Sequence, residues 1–584
     1  MILAIIKNEI SKRFHRMGTN FFYNMNVQRL IYRSERKCFM LKEPGKKKKW
    51  IVPTLLIIAG IGIFGRTTAI SAMEATVSRI LGTPDEEQTV ALTEEEEKQL
   101  EEIKKTYDTV GQAKIVKKLE AKKAKNEYTI DNMLIQYNPF GTNTQSAYVY
   151  FKTENPAKIT YTVSVSDKEI KDFTREVSQE EEYQTEHEFQ VIGLIPDMEN
   201  KVKFTITEEN GMVTTRSYAY NMGSLLGDEE VKLETDIDEK AEEELSDGLY
   251  VILGNDDSHL DFMYYYDNDG ILRGEVPLLG YRSHRILFDE SAMYYSISES
   301  KIAAVNRLGQ VVSVYDLGDY SLHHDYVFDD DGNILILATD NKQDSVEDVV
   351  VKLDIRTGQV TEVLDLGDLL GNYKASCVAN ADGDLDWMHI NTIQWMGSGQ
   401  VLLSSRETST ILKVSNLYTA PQLDYMIGAD KFWAGTGYEN LLFTKDGSFT
   451  IQGGQHSVTY VKDDTLKEGQ YYLYMFNNNI GYSETRPGFD WSSTGLTETS
   501  AKDGSTSYYY KYLVDENNRT FKLADSFKVP YSGYVSSVQE ISGNVLADSG
   551  FAGEFREYNK EHKLIASYKM NAEKFIYRVY KYQF

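Results

Sequence analysis

Alternating apolar and polar positions fill the stretch between residues 128 and 225. The runs at 147–152, 158–165 and 201–207 place every second side chain on one face of an extended chain. Polar turns separate these runs, and about seven short strands fit into the stretch. The pattern predicts a small β-sandwich of the immunoglobulin or fibronectin type over residues 128–225.

An internal sequence repeat of apolar strand-like runs and glycine turns begins after Gly248. One copy of the repeat starts at residue 332 and continues through strand-like runs to 360, and similar copies start at 399 and 543. At roughly 45–60 residues per four-stranded blade, the C-terminal region has room for about six blades. We therefore predict an all-β fold, in which a six-bladed β-propeller at 248–584 follows the sandwich and an acidic linker at 226–247. The inner strands of a propeller surround one channel, where distant residues would meet.

The stretch 67–127 departs from the β-type pattern. Its residues 93–125 are rich in Glu and Lys, with a thin apolar stripe at helical spacing that is interrupted at Gly111. We interpret this stretch as a solvated helical spacer, in preference to a dimerising coiled coil.

An uncharged apolar stretch at 50–66 follows four consecutive lysines and ends at Arg66. It is short for a bilayer, which needs about 20 apolar residues, although snorkelling of the flanking cations extends its reach. We favour an uncleaved transmembrane anchor over a cleaved signal peptide, for which 69–71 offers a weak cleavage site. A buried soluble helix fits the lysines poorly.

In both favoured interpretations the basic tail, residues 1–49, stays in the cytoplasm. The rest of the chain is then an extracytoplasmic body held at the cell membrane, or exported if the signal is cleaved. Met40 offers an alternative start of translation, which would leave out residues 1–39.

Charge and cysteine content narrow the function. The net charge is −27, yet residues 1–50 carry 13 Lys or Arg against 3 Asp or Glu, so the body is strongly acidic. An acidic body argues against nucleic acid as a partner, because phosphate contacts require a basic surface. Cys38 and Cys377 are the two cysteines, and Cys38 precedes the apolar stretch. The body therefore has no internal disulfide.

The chain has nine histidines, and five of them lie in or beside strand-like segments of the C-terminal half. These five are His284, His323, His324, His389 and His456, and Arg406 lies in a similar segment. Imidazoles and a guanidinium, without a matching set of carboxylates, suit a nucleophile that acts on an anionic group.

The segments around these residues resemble the bacterial aryl sulfate sulfotransferases in content, order and approximate spacing. The segments are 282–285, 322–325, 386–391, 403–406 and 454–457. Asp-Trp-x-His-x-Asn followed by Ser-Ser-Arg is the most specific part, and the resemblance covers roughly residues 128–584. It implies a six-bladed propeller behind a smaller β domain, and sulfuryl transfer without a nucleotide sulfate donor or another cofactor.

By this resemblance, His456 is the nucleophile and forms a transient sulfohistidine. A histidine with an unperturbed pKa of about 6.5 is largely neutral at neutral pH, as a nucleophile must be. Arg406 would bind sulfuryl oxygens through its fork of donors. His284 and His389 would donate hydrogen bonds and move the phenolic proton. Asn391 would share a face with His389 if the segment is extended, and would bind a sulfuryl oxygen or fix an imidazole tautomer.

Other interpretations stay open beside this one. Adjacent strand residues face opposite ways, so at most one of His323 and His324 is expected to reach the channel, and we interpret the pair as structural. Three histidines would also suit zinc, but Arg406 disfavours a cation, so no metal is expected. The segment 476–479 resembles a family segment and has no readable role. The disulfide found near the active site of some family members has no counterpart here.

The function we predict is an aryl sulfate sulfotransferase that moves a sulfuryl group from a phenolic sulfate ester to a phenol. One alternative is a propeller that binds or senses a ligand without catalysis. Another is an aryl sulfatase with water as the acceptor, although Cys377 lacks the Cys-x-Pro-x-Arg context of usual sulfatases. The oligomeric state stays open: the family includes dimers, and the sandwich offers a contact for a homodimer.

Overall fold

A computed structural model describes residues 94–178, 180–227, 229–254, 260–381, 383–572 and 574–584. The predicted basic tail at 1–49, the apolar stretch at 50–66 and the beginning of the predicted spacer, 67–93, lie outside the described residues. Within the described ranges, no helix combines the length and the apolar character needed to cross a membrane.

Two helices open the described part, α1 (Glu94–Thr106) and α2 (Thr109–Lys125). The Asp108 side chain accepts a hydrogen bond of 3.0 Å from the backbone N–H of Val110 and caps α2. The interruption predicted at Gly111 therefore lies a few residues earlier, at the cap.

Both helices pack against the β regions through their apolar stripe. Ile103, Tyr107 and Leu119 are buried, and the Tyr107 hydroxyl donates to the Pro277 carbonyl at 2.7 Å. Leu119 packs in a cluster that includes Tyr148. The prediction of a solvated spacer is thus wrong for residues 94–125, because aromatic residues from elsewhere in the chain cover the thin stripe.

A six-stranded antiparallel sheet follows. Its strands are β1 (Leu134–Tyr137), β2 (Ser146–Ser164), β3 (Phe173–Glu176), β4 (Gln184–Ile192), β5 (Glu199–Glu208) and β6 (Val213–Asn221). The long strand β2 pairs with β1 and β4 along its first half and with β3 and β5 along its second. Alternate apolar residues of β2, β4 and β5 form one core, among them Val149, Phe189 and Phe204.

Six further sheets of four or five strands make up the rest of the described chain. Their strands are β7 (Glu234–Ile237), β8 (Leu249–Ile252), β9 (Phe262–Tyr266), β10 (Leu272–Pro277), β11 (Leu287–Phe288), β12 (Ala292–Ser298), β13 (Lys301–Asn306), β14 (Val311–Asp316), β15 (Tyr320–Phe328), β16 (Ile334–Asp340), β17 (Val349–Leu353), β18 (Val360–Asp365), β19 (Ile390–Gly397), β20 (Gln400–Ser405), β21 (Thr410–Ser415), β22 (Gln422–Ile427), β23 (Thr444–Lys445), β24 (His456–Val461), β25 (Gln470–Asn477), β26 (Ser507–Asp515), β27 (Thr520–Val529), β28 (Ser537–Ile541), β29 (Asn544–Ser549), β30 (Glu554–Tyr558), β31 (Leu564–Lys569) and β32 (Val579–Tyr582). Short helices α3 (Leu366–Lys374) and α4 (Asp430–Trp433) lie in the connections.

Each sheet consists largely of strands consecutive in the chain. The strand orders are β10-β9-β8-β32, β11-β12-β13-β14, β15-β16-β17-β18, β19-β20-β21-β22, β23-β27-β26-β25-β24 and β28-β29-β30-β31-β7. An edge strand of each of four successive sheets contacts an edge strand of the next sheet, β15 with β19, β19 with β24 and β24 with β28. This repeated arrangement is all-β and propeller-like, as the sequence predicts.

The two ends of this region are joined through neighbouring sheets. The last strand, β32, pairs with β8, while β7 pairs with β31 near the C-terminus. The strand β28 also contacts β32. Hydrogen bonds between strands far apart in sequence therefore tie the beginning of the region to its end.

Candidate active site

The five histidines of the motifs and Arg406 lie in or beside strands, in four successive sheets. They are His284 before β11, His323 and His324 within β15, His389 directly before β19, Arg406 directly after β20, and His456 at the start of β24. All six are buried. The His324 ring is 4.6 Å from the His389 ring and 6.4 Å from the His284 ring. The structure thus brings together side chains that are up to 172 residues apart in sequence.

The nitrogen Nδ1 of His456 faces two carbonyl oxygens. It lies 2.9 Å from the Gly454 backbone oxygen and 2.8 Å from Oδ1 of Asn478. Both oxygens only accept hydrogen bonds, so Nδ1 carries the proton and Nε2 carries the lone pair. Burial lowers the pKa of His456 to about 3, and the nearby Arg578 and Arg406 guanidinium groups act in the same direction. His456 is therefore a neutral imidazole at neutral pH.

The corresponding nitrogen of His389 faces two carboxylates. It lies 2.5 Å from Oδ2 of Asp386 and 2.7 Å from Oε2 of Glu347. Burial and Arg406 oppose a positive charge here, but the two carboxylates outweigh them and raise the pKa of His389 to about 10. His389 is therefore an imidazolium at neutral pH, and each of its ring nitrogens carries a proton.

Arg406 lies between this acidic side and the rest of the cluster. Its Nη2 is 3.5 Å from Oδ2 of Asp386 and 3.6 Å from Oε1 of Glu407, and its backbone N–H donates to the His389 carbonyl at 3.1 Å. The guanidinium also lies over the Tyr534 ring, 5.1 Å from its centre. These contacts fix a buried cation beside both His389 and His456.

His284 contacts the C-terminal segment of the chain. Its Nδ1 is 3.2 Å from the Tyr577 hydroxyl, and its carbonyl accepts a hydrogen bond of 3.5 Å from Arg578. Burial lowers the pKa of His284 well below the ordinary value, and Arg282 and Arg578 add to this effect. His284 is therefore a neutral ring that can donate one hydrogen bond and accept another.

His323 and His324 both face the cluster, and the prediction that only one of them reaches it is wrong. Their Nδ1 atoms are 3.0 Å apart, and Nδ1 of His324 is 3.6 Å from Oε2 of Glu347. The register of β15 shifts between Leu322 and Tyr326, and His324 has a φ of +52°. This bulge breaks the alternation of side chains that an ordinary strand would impose.

Asn391 supports the backbone beside His456. The premise of an extended segment fails, because His389 has a φ of +45°, and Nδ2 of Asn391 donates to the Gln455 carbonyl at 2.8 Å. Its own carbonyl accepts a hydrogen bond of 2.7 Å from Nη2 of Arg578. Asn391 therefore connects the strand after His389 to the residue before His456.

Three contributors were not predicted from the sequence. Arg578 is buried among the histidines, and no motif around it indicates this. Glu347 lies in the turn between β16 and β17 as one of 89 acidic residues, without any distinguishing signal. Asp386 stands inside the Asp-Trp-x-His-x-Asn motif, so its spacing from His389 was the available signal. The sequence predicted a cluster without matching carboxylates. This prediction is wrong for His389, which contacts the carboxylates of Asp386 and Glu347.

The same carboxylates create two groups of potential metal ligands among the described residues. His323, His324 and Glu347 form one group, and Glu347, Asp386 and His389 form the other. In each group the ligand atoms lie within 4.8 Å of one another. The second group already forms hydrogen-bonded ion pairs between its own members.

Comparison with known proteins gives the family. Residues 234–580 match the family model described as arylsulfotransferase (ASST), and residues 134–223 match the arylsulfotransferase Ig-like domain. The chain therefore belongs to the arylsulfotransferase family, as its motifs suggest. Membership supports an aryl sulfotransferase activity, with an aryl sulfate as donor and a phenol as acceptor. No curated protein matches the chain.

Solved structures resemble the chain only distantly. A putative 6-phosphogluconolactonase from Bacteroides uniformis is 10% identical, with a TM-score of 0.31 over 73% of this chain and 97% of that one. The C-terminal WD40 domain of Sif2 is 9% identical, with a TM-score of 0.27 over 59% and 75%. BamB from Moraxella catarrhalis is 10% identical, with a TM-score of 0.27 over 57% and 90%.

Proposed function

We propose that this chain transfers a sulfuryl group from a phenolic sulfate ester to a phenol in two steps, through a transient sulfohistidine on His456. No nucleotide sulfate donor takes part. One observation carries this proposal: near Arg406, Nδ1 of one buried histidine faces two neutral carbonyl oxygens, and Nδ1 of another faces two carboxylates. His456 has a lone pair for sulfur, and His389 has a proton for the leaving oxygen.

In the first step, Nε2 of His456 attacks the sulfur of the donor and forms an N–S bond. The bond between sulfur and the aryl oxygen breaks, and the departing phenolate takes a proton from Nε2 of His389. Arg406 donates hydrogen bonds to sulfuryl oxygens, whose negative charge it balances. The products are a free phenol, a sulfurylated His456 and a neutral His389.

In the second step, the oxygen of the acceptor phenol attacks the same sulfur while His389 takes its proton. The N–S bond breaks, and both histidines return to their starting states. The low basicity of His456 helps here, because a weakly basic nitrogen is displaced more readily. His284, next to the cluster and neutral, supplies a further hydrogen-bond donor to the transferring group.

The dependence of the reaction on a phenol acceptor distinguishes the proposed sulfotransferase from a sulfatase. Purified protein is incubated with 4-nitrophenyl sulfate, with and without added phenol, and release of 4-nitrophenol is followed. We expect release to rise strongly with phenol and to follow ping-pong kinetics. Equal release in both cases, with free sulfate as the product, would favour the sulfatase. No release under either condition would favour a non-catalytic binding module.

The fold proposal is that the six sheets are the six blades of one closed β-propeller. The pairing of β32 with β8 and of β7 with β31 supports it, since both ends of the region are then held within the ring. A crystal structure of residues 94–584 tests it by the number of sheets around one channel.

The location proposal is a single-pass membrane anchor with an extracytoplasmic body. The change from four lysines to an uncharged stretch at 46–66 supports it. Protease treatment of intact cells tests it, because an extracytoplasmic body is digested and a cytoplasmic one is protected. We also propose a homodimer formed through the Ig-like sheet, which light scattering of the purified body tests by its mass.

A further inference from the structure

Asn478 lies directly behind the proposed nucleophile. Its Oδ1 accepts the hydrogen bond from Nδ1 of His456 at 2.8 Å, and the asparagine is buried. It follows β25 (Gln470–Asn477), the strand that pairs with β24. The family resemblance at 476–479 gave no role for this residue.

Two further hydrogen bonds fix the orientation of the Asn478 amide. Its Nδ2 donates to the Ser532 carbonyl at 2.8 Å and to the Val535 carbonyl at 3.1 Å. Rotation of the amide by half a turn would place Oδ1 against these two carbonyl oxygens and Nδ2 against His456. Three hydrogen bonds would be lost together, so the oxygen remains on the histidine side.

We propose that Asn478 is a positioning residue that fixes the tautomer of His456, so that Nδ1 holds the proton and Nε2 presents its lone pair to sulfur. This inference rests on the proposed function, in which His456 is the nucleophile. The Gly454 carbonyl assists from within the same segment, but it cannot be replaced by mutation. Asn478 is therefore the member of the pair that an experiment can change.

A neutral acceptor at this position also has a chemical consequence. A carboxylate on Nδ1 would raise the basicity of the ring, as Asp386 and Glu347 do for His389. A more basic His456 would hold the sulfuryl group more firmly and slow its transfer to the acceptor. An amide oxygen fixes the tautomer without adding a negative charge.

Two substitutions separate this role from simple structural support. Both Asn478→Asp and Asn478→Leu remove the two hydrogen bonds donated by Nδ2. Only Asn478→Leu also removes the oxygen that accepts from His456. Asn478→Asp keeps an accepting oxygen but adds a negative charge, so a difference between the two variants reports on that oxygen and its charge together.

Asn200 provides a matched control for folding. It is also buried, and its Nδ2 donates to the carbonyls of Ile195 and Met198 at 2.8 and 3.0 Å, while its Oδ1 accepts from the Ile195 N–H at 2.7 Å. It lies in β5 of the Ig-like sheet, outside the histidine cluster. Asn200→Leu should lower thermal stability as Asn478→Leu does, without slowing the chemistry.

The experiment mixes full-length protein with 4-nitrophenyl sulfate alone and follows the gain of about 80 Da, one sulfuryl group, by rapid-quench mass spectrometry. We expect Asn478→Leu to form the adduct at least about tenfold more slowly than the wild type, and Asn478→Asp, whose carboxylate still accepts from Nδ1, to form it faster than Asn478→Leu. Nitrogen-15 NMR of labelled histidine should show His456 protonated on Nδ1 in the wild type and Asn478→Asp, and a mixture of tautomers in Asn478→Leu.

The outcomes separate the inference from the function it rests on. If wild-type protein forms no adduct, or forms it on a residue other than His456, the proposed function fails. If the adduct forms on His456 but Asn478→Leu matches the wild type, or both Asn478 variants slow equally, the tautomer role is overturned. An unchanged tautomer in Asn478→Leu would also overturn it, whatever the activity.

Discussion

His456 and His389 differ in what their Nδ1 atoms face. Two neutral carbonyl oxygens accept from His456, whereas two carboxylate oxygens lie within ion-pair distance of His389. Both arrangements fix the proton on Nδ1, but only the second compensates a positive charge on the ring. The same side chain is therefore neutral in one place and positively charged in the other.

The difference has a clear electrostatic basis. Burial disfavours the imidazolium in both cases, and for His456 the hydrogen bond with Asn478 offsets it only in part, so its pKa is about 3. For His389 the two carboxylates stabilise the imidazolium by more than burial destabilises it, and the pKa of His389 is about 10. Paired groups whose environments push their pKa values apart are a sign of acid and base roles.

The largest effect is expected from removing the nucleophile. His456→Ala should lose essentially all sulfuryl transfer, and the gain of about 80 Da after mixing with donor alone should vanish. His562→Ala is the control, because His562, between β30 and β31, pairs with Asp525 of β27 and is not part of the histidine cluster. An adduct on His456→Ala at catalytic speed would move the nucleophile elsewhere, with His389 the next candidate.

Removing the acid should be less severe and should depend on the leaving group. His389→Ala should lower the transfer rate by about 10²–10³, the typical cost of one donor to developing charge. The loss should be smaller with 4-nitrophenyl sulfate than with phenyl sulfate, since 4-nitrophenolate needs less protonation. If His389→Ala lowered the rate equally with both donors, the result would argue against the acid role.

His323→Ala should instead lower thermal stability more than turnover.

The charge on His389 is expected to set the alkaline limb of the activity. With pKa values of about 3 and about 10, kcat/KM should stay nearly flat between about pH 5 and pH 9. Glu347→Gln removes one carboxylate, which lowers the pKa of His389, so activity should fall at a pH lower by about one unit or more.

Glu540→Gln is the control for this shift, because Glu540 pairs with Lys511 away from the cluster. A pH profile of Glu347→Gln that overlays the wild type would mean that Glu347 does not set the protonation of His389.

The smallest effect is expected from metal removal. If the carboxylates serve to charge His389, EDTA should leave turnover unchanged. Elemental analysis of the purified protein shows independently whether a metal ion is bound, as the two groups of potential ligands around Glu347 would allow. Stoichiometric zinc, with activity lost on chelation and restored by metal, would replace the acid role of His389 with metal binding.

Much of the fold was readable from the chain. Alternating positions predicted the small β domain, and the internal sequence repeat predicted the sheets of the C-terminal region, because hydrophobic periodicity records which face of a strand is buried. The apolar stripe at 93–125 correctly predicted helices, but the prediction that these helices form a solvated spacer was wrong. A helix pattern shows that a stripe exists, but it does not show what covers the stripe.

The chain by itself determined the family and the identity of the histidines, since short motifs in order survive in sequence. The tertiary structure alone decided the protonation state of each histidine. Glu347 and Arg578 reach the cluster from distant parts of the chain, and the bulge in β15 turns His324 toward it. Protonation depends on burial and on neighbours within a few ångströms, and of these neighbours only Asp386 and Gly454 stand close to His389 and His456 in sequence.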